Sequence, residues 1–209
     1  MVAPADPGAV EVADLPAGEI PEAIGVLARG MRDNPLHVAA FGADPERRRR
    51  RLERFFRAFF RVMGAQTPLG AHDGETLVGV TGVAPPATCQ PGIGAELRLL
   101  PTVLAMGPPT SARLMRWVAA WAAHDPSEPH SHLGPLAVDA HLQGRGIGTR
   151  ILAEYCARLD RAGELGYLET DKPENVRLYE RHGFRVIGEE RVIGVPNWFM
   201  RREPGGAAN

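Results

Sequence analysis

Residues 136–151 constrain this chain more than any other stretch. They read Leu-Ala-Val-Asp-Ala-His-Leu-Gln-Gly-Arg-Gly-Ile-Gly-Thr-Arg-Ile. An apolar strand ends, a glycine-spaced turn follows, and an amphipathic helix opens inside the turn. Glycine has no Cβ, so successive backbone N–H groups in such a turn can converge on one point. A helix N-terminus there adds unpaired donors and the positive end of the helix dipole. A strand–turn–helix unit of this kind belongs to an α/β or α+β fold, and its turn suits a phosphate or pyrophosphate.

Two common glycine motifs do not fit. Gly144, Gly146 and Gly148 are followed by Thr149 where a dinucleotide fingerprint wants its third glycine, and the frame from Gly146 meets Ile151 there. No Lys-Ser or Lys-Thr pair follows, so the turn is not a P-loop. What remains is Gln-x-x-Gly-x-Gly after a strand, carried by Gln143, Gly146 and Gly148. A second constellation lies downstream. Residues 168–186 read as strand, loop, short helix, glycine cap and strand, with Pro173 early in the helix and Gly183 after it. Asn175 and Tyr179 are four apart and share one face of that helix.

These two segments, in this order and spacing, resemble the GNAT N-acetyltransferases, and the resemblance runs from about residue 132 onward. Leu168-Glu169-Thr170, Tyr179-Glu180-Arg181 and Gly183-Phe184 also resemble the antibiotic-modifying branch typified by puromycin N-acetyltransferase. The resemblance implies one GNAT-like domain with a mixed, mostly antiparallel sheet flanked by helices. It implies acetyl-CoA as co-substrate and a primary amine on a small molecule as acceptor, with direct transfer in a ternary complex.

The family plan assigns residues to each task. Pantetheine would bond the splayed backbone of Leu136, Ala137 and Val138, one of whose N–H groups would serve as oxyanion donor. Pyrophosphate would sit on Gln143, Gly144, Arg145, Gly146, Ile147, Gly148 and Thr149, with Arg145 and Arg150 supplying charge at the rim. Asn175 would hold the CoA arm, and Tyr179 would be the general acid. The base stays open between His132, Glu169 and a water relay. A free imidazole titrates near neutral pH, which suits His132. Strand alternation puts His132, Gly134 and Leu136 on one sheet face. His130 and His132 have metal-like spacing, yet no third-ligand pattern accompanies them, so no metal is expected.

The remaining elements follow from periodicity. Strands are expected over 10–13, 67–71, 76–83, 132–138, 166–170, 184–189 and 197–201, and helices over 20–31, 45–63 and 146–161. Asp33-Asn34-Pro35 is expected to break the chain. In helix 45–63, Leu52, Phe55, Phe56, Phe59, Phe60 and Met63 form an apolar face. One departure from the family plan stands out. Residues 84–130 separate the third and fourth strands, where the plan has a tight hairpin, and they hold two further helices, 93–106 and 110–123. This insert lies beside the strand that would carry the acetyl group, so it is expected to cover the acceptor side.

A chain of 209 residues with net charge −1 forms one domain and carries no global field favouring nucleic acid or membrane. The arginines at 47–51 point all round a helix and are expected to be solvated. Cys89 and Cys156 lack metal spacing, no apolar run reaches a membrane span, and no secretory signal pattern is present, so a cytoplasmic protein is expected. Residues 1–8 and 203–209 are expected to be disordered. Exposed sheet edges leave a homodimer open. A CoA-binding GNAT fold without chemistry is the main alternative, with a nucleic-acid-binding module behind it.

Overall fold

The computed structural model describes residues 10–62, 67–88, 90 and 92–205. The expectations for Met63, Cys89, residues 1–8 and residues 206–209 lie outside the described residues.

Among the described residues seven strands form one sheet: β1 (Val10–Asp14), β2 (Leu69–Asp73), β3 (Thr76–Ala84), β4 (Ser131–Val138), β5 (Gly166–Thr170), β6 (Arg185–Val192) and β7 (Val195–Arg202). Their spatial order is β1-β2-β3-β4-β5-β7-β6. Only β4 and β5 run parallel; the other neighbours are antiparallel. This is the mixed, mostly antiparallel sheet expected from the sequence.

Helices cover both faces. On one face lie α1 (Ile20–Gly30), α2 (Pro35–Phe41), α3 (Pro45–Val62) and α5 (Pro108–His124), with α4 (Ile93–Leu104) packed on α3 and α5. Their apolar residues, Leu27, Phe41, Leu52, Phe56 and Trp117 among them, share a core with Val80, Tyr167 and Phe199 of the sheet. On the other face lie α6 (Ile147–Ala162) and α7 (Pro173–Glu180). There Leu152, Tyr155 and Tyr179 pack on Leu133, Leu168 and Met200. Adjacent strand residues such as Tyr167 and Leu168 enter opposite cores, as period-two alternation requires. Each large apolar side chain so buried contributes roughly 1.5–3 kcal/mol.

Three expectations need correction. The chain does not simply break at Pro35. It starts a further helix there, whose proline sits in the first turn and whose Leu36 N–H donates to Asp171 Oδ2 at 2.6 Å. Seven residues are too few to show a helical period.

The alternation along β4 is broken by a bulge. Thr81 pairs with Leu136 but Val83 pairs with Leu133, so two steps on β3 face three on β4. The extra residue reverses the facing of the residues beyond it. Hence His132 packs against Tyr167 in the α1–α5 core, while Leu136 packs toward α6.

The arginine run is not uniformly solvated. Arg47 and Arg50 are exposed. Arg48 is buried and donates to the carbonyls of Arg32, Gly42 and Ala43 and to Asp33. Arg51 donates to the carbonyls of Phe41 and Met106. The Arg48 and Arg51 guanidiniums tie α3 to its neighbours, while Arg47, Arg50, Arg54, Arg57 and Arg61 stay exposed on one face of the helix. Gly205 N–H donates to Asp160 Oδ1 at 2.9 Å.

Helices α4 and α5 lie between β3 and β4. Trp121 Nε1 donates to Asn197 Oδ1 at 3.2 Å, and the His124 ring stacks on Phe199 at 3.8 Å, so α5 is fixed to β7. Ile93, Leu97, Leu104, Met115 and Val118 remain exposed. Among the described residues no helix is long and apolar enough to cross a membrane.

Candidate functional site

The glycine turn has the backbone it needs. Gly144 and Gly146 adopt φ of 80° and 81°, a region side chains with a Cβ rarely enter. Gly146 caps α6, and the first helical bond of α6 runs from Arg150 N–H to Gly146 O at 3.1 Å. The N–H groups of Ile147, Gly148 and Thr149 precede that bond and make no hydrogen bond among the described residues. Residues Gln143, Gly144, Arg145, Gly146 and Thr149 are exposed. The turn therefore presents unpaired donors to solvent at the positive end of a 16-residue helix.

Side chains lock this turn to α1. Gln143 Nε2 donates to Gly30 O at 2.9 Å and to Val138 O at 3.2 Å. Arg29 donates two bonds to Asp139 Oδ2, at 3.0 and 2.5 Å. Burial opposes the charge on Asp139, but Arg29 overcomes it and holds that carboxyl below its ordinary range. A Cβ on Gly30 would lie 2.3 Å from Val138 O, so only glycine permits this approach. The motif glutamine is thus a clamp on the end of β4 as well as part of the turn.

Beside the turn the sheet opens. The parallel pairing of β4 and β5 consists of Ser131 with Gly166 and His132 with Tyr167. Beyond it the strands part, and the backbone of Leu136, Ala137 and Val138 pairs with β3 alone. The bulge after Leu133 turns β4 away from β5. The result is a slot between β4 and β5, whose wall at Leu136, Ala137 and Val138 is not paired to β5 among the described residues.

At the head of that slot stands a polar cluster. His132 Nε2 and Glu169 Oε2 are 2.9 Å apart. The two rival bases of the sequence reading are one hydrogen-bonded pair. The Glu169 side chain is 2% exposed and that of His132 is 18%, so the imidazole is the accessible member. Asp125, at the end of α5, places Oδ1 3.7 Å from His132 Nδ1 and 3.1 Å from His130 Nε2. His130 Nδ1 lies 2.8 Å from Glu128 O. Burial works against charge on His130, but the bonds to Asp125 and Glu128 outweigh it and its pKa is raised. Tyr167 packs edge-on against both histidines.

Tyr179 and Asn175 lie on α7 as expected, Asn175 half-buried and Tyr179 only 6% exposed. Burial, with the charges of Asp171 and Glu169 behind it, pushes the phenol well above its ordinary pKa. Tyr179 therefore stays protonated and is a donor at every physiological pH. Asp171, which accepts the α2 N–H, is itself shifted upward by burial. On α2, His37 is buried against Phe41 and edge-on to Trp117, with ring centroids 6.1 and 5.2 Å away. Burial, then the charges of Lys172 and Arg48, lower its pKa to about 3.

The sequence model described as "Acetyltransferase (GNAT) family" matches residues 34–184. The chain belongs to the GNAT family. This GNAT domain superposes on a structure described as histone acetyltransferase HPA2 and related acetyltransferase from Corynebacterium glutamicum, with a TM-score of 0.73 and 22% identity. That superposition covers 94% of this chain and 97% of the other. A GNAT acetyltransferase from Brucella melitensis, solved in complex with acetyl-CoA, has a TM-score of 0.53 at 17% identity over 93% and 87% of the two chains. In sequence, the domain is 42% identical over 77 residues to the N-alpha-acetyltransferase RimI of Mycobacterium tuberculosis. That match covers 34% of this chain and 47% of the relative, so it spans about half the relative's length. The family's acyl donor is acetyl-CoA, which fits the turn and slot described above.

Several residues of this GNAT site carried no signal in the sequence. Asp125 is an isolated carboxylate in the insert, and Arg29, Asp139, Asp171 and His37 belong to no motif. Tertiary packing alone brings them to the site.

Proposed function

We propose that this protein transfers an acetyl group from acetyl-CoA to a primary amine on a small, partly apolar molecule, in a ternary complex. The observation that carries this reading is the placement of the His132–Glu169 pair at the last β4–β5 pairing before the slot opens. A thioester in the slot would have its acetyl group beside the imidazole. Glu169 accepts the Nε2 proton and so orients the imidazole, which serves as the base. The amine nitrogen attacks the thioester carbon and surrenders a proton to His132, directly or through one water. A backbone N–H among Leu136, Ala137 and Val138 donates to the developing oxyanion. The C–S bond breaks as the N–C bond forms, and Tyr179 hydrogen-bonds or protonates the leaving thiolate. The leaving thiolate, whose thiol has a pKa of about 8.5, is a weaker base than a phenolate whose phenol lies above 10, so this transfer is uphill unless bound CoA lowers the phenol. Hydrogen-bond donation is therefore the larger part of Tyr179's role.

Asn175 holds the CoA arm, and the turn from Gln143 to Thr149 with Arg145 holds the pyrophosphate. The insert supplies the acceptor side, with Trp117 and Trp121 near α2 favouring an apolar body on the amine. The buried free thiol of Cys156 suits a cytoplasmic setting. The match to an N-alpha-acetyltransferase favours a second acceptor, the α-amino group of a peptide. Thiol release from acetyl-CoA across a panel of small amines and N-terminal peptides separates the two. Release with one amine class names the acceptor. Tight acetyl-CoA binding without release from any member would favour a non-catalytic CoA-binding protein.

A further inference from the structure

We propose that Asp125, His130 and His132 form a binding site for zinc(II). Their ligand atoms all lie within 4.8 Å of one another. Asp125 Oδ1 is 3.1 Å from His130 Nε2 and 3.7 Å from His132 Nδ1. Two ligands of a tetrahedral zinc, each about 2.0–2.1 Å from the metal, are about 3.3 Å apart. The two measured edges bracket that value.

The ring orientations point the same way. His130 Nδ1 faces the carbonyl of Glu128, which can only accept, so Nδ1 holds the hydrogen. His132 Nε2 likewise faces the Glu169 carboxylate. The remaining nitrogens, His130 Nε2 and His132 Nδ1, both face Asp125 Oδ1, and zinc would replace the proton that His130 Nε2 shares with that oxygen. Each histidine also has its other N–H held by a carbonyl or carboxylate, the outer arrangement that metal-bound histidines almost always show. The carboxylate is fixed in the same way, because Gln90 Nε2 donates to Asp125 Oδ2 at 2.9 Å and leaves Oδ1 for the cluster. Three protein ligands leave a fourth position for water. His-x-His spacing on a strand supplies two ligands, and the third arrives from the end of the inserted helix α5.

Zinc at this site takes the Nδ1 lone pair of His132, so it should inhibit acetyl transfer. That consequence rests on the role proposed for His132; the site itself does not.

The test uses tag-free full-length protein treated with EDTA and dialysed. Calorimetric titration with zinc chloride should give one saturable site. Asp125→Asn and His130→Gln should each weaken it at least tenfold while the metal-free melting temperature stays near that of the wild type. Imidazole 15N NMR of the wild type provides a measurement independent of any variant. Zinc should shift Nε2 of His130 and Nδ1 of His132, and spare their partner nitrogens. No saturable binding, unchanged affinity in both variants, or shifts at other histidines would overturn the site. Saturation without inhibition would leave the zinc site standing and remove His132 as the base.

Discussion

The two halves of the proposed site, one for the acyl donor and one for the acceptor, are built in opposite ways. The donor half is backbone: a turn of consecutive residues, two glycines at positive φ and three free N–H groups at the head of α6. The acceptor half is side chain: Asp125 from α5, His130 and His132 from β4, and Glu169 from β5. Backbone recognition tolerates most side chains and demands glycine where the chain must bend. Side-chain recognition tolerates most backbones and demands particular groups at particular atoms. Substitutions in the two halves should therefore fail differently.

The sharpest separation comes from the pair at the slot. His132→Ala and Glu169→Gln should lower kcat about 100- to 1,000-fold and leave acetyl-CoA affinity within about twofold, as removal of a base or its orienting partner does. Steady-state kinetics with calorimetric titration of acetyl-CoA checks this, and a loss confined to affinity would break the division of roles. Tyr179→Phe should reduce turnover about 10- to 100-fold with acetyl-CoA still bound, and unchanged turnover would remove the phenol from the mechanism.

Helix α2 should make the fold acid-sensitive. His37 has a folded pKa of about 3, against about 6.5 unfolded. Between those values the unfolded chain binds a proton that the folded chain refuses, so stability falls as pH drops below about 6.5. From pH 7.5 to 5 the loss should approach about 2 kcal/mol from this group. Denaturant melts at both pH values check it, and His37→Leu should flatten the difference.

In the donor half, Gly146→Val forces a β-branched residue to φ of 81°. It should weaken acetyl-CoA by about tenfold, the equivalent of 1–2 kcal/mol of left-handed strain, with kcat at saturation little changed. Arg145→Ala, an exposed rim charge, should cost only a few-fold, and less at high salt. A larger effect there than at Gly146 would reverse the view that backbone dominates this half.

The same contrast explains which features were readable in advance. The turn, α6, the helix bearing Asn175 and Tyr179, and the sheet strands all announce themselves through spacing within one segment. The insert was visible as a length that the family plan does not have. The short helix α2 was not visible, because its start is stabilised by Asp171 from another part of the chain. Arg48 and Arg51 read as solvent-facing charges because nothing nearby in sequence shows that the Arg32, Gly42 and Met106 carbonyls await them. The bulge in β4 was invisible as a facing change, since one extra residue against β3 reverses every side chain after it.

By itself the sequence determined the local chemistry of this protein: where glycine allows a left-handed turn, where a helix starts, and which segments bury one face. Those properties depend on neighbours a few residues apart, and a linear text records them. The tertiary structure alone decided that Asp125 meets two histidines, that His132 and Glu169 are one pair, and that β4 leaves β5 to open a slot. Such contacts join residues dozens of positions apart. They depend on which faces pack together, and no spacing rule carries that information.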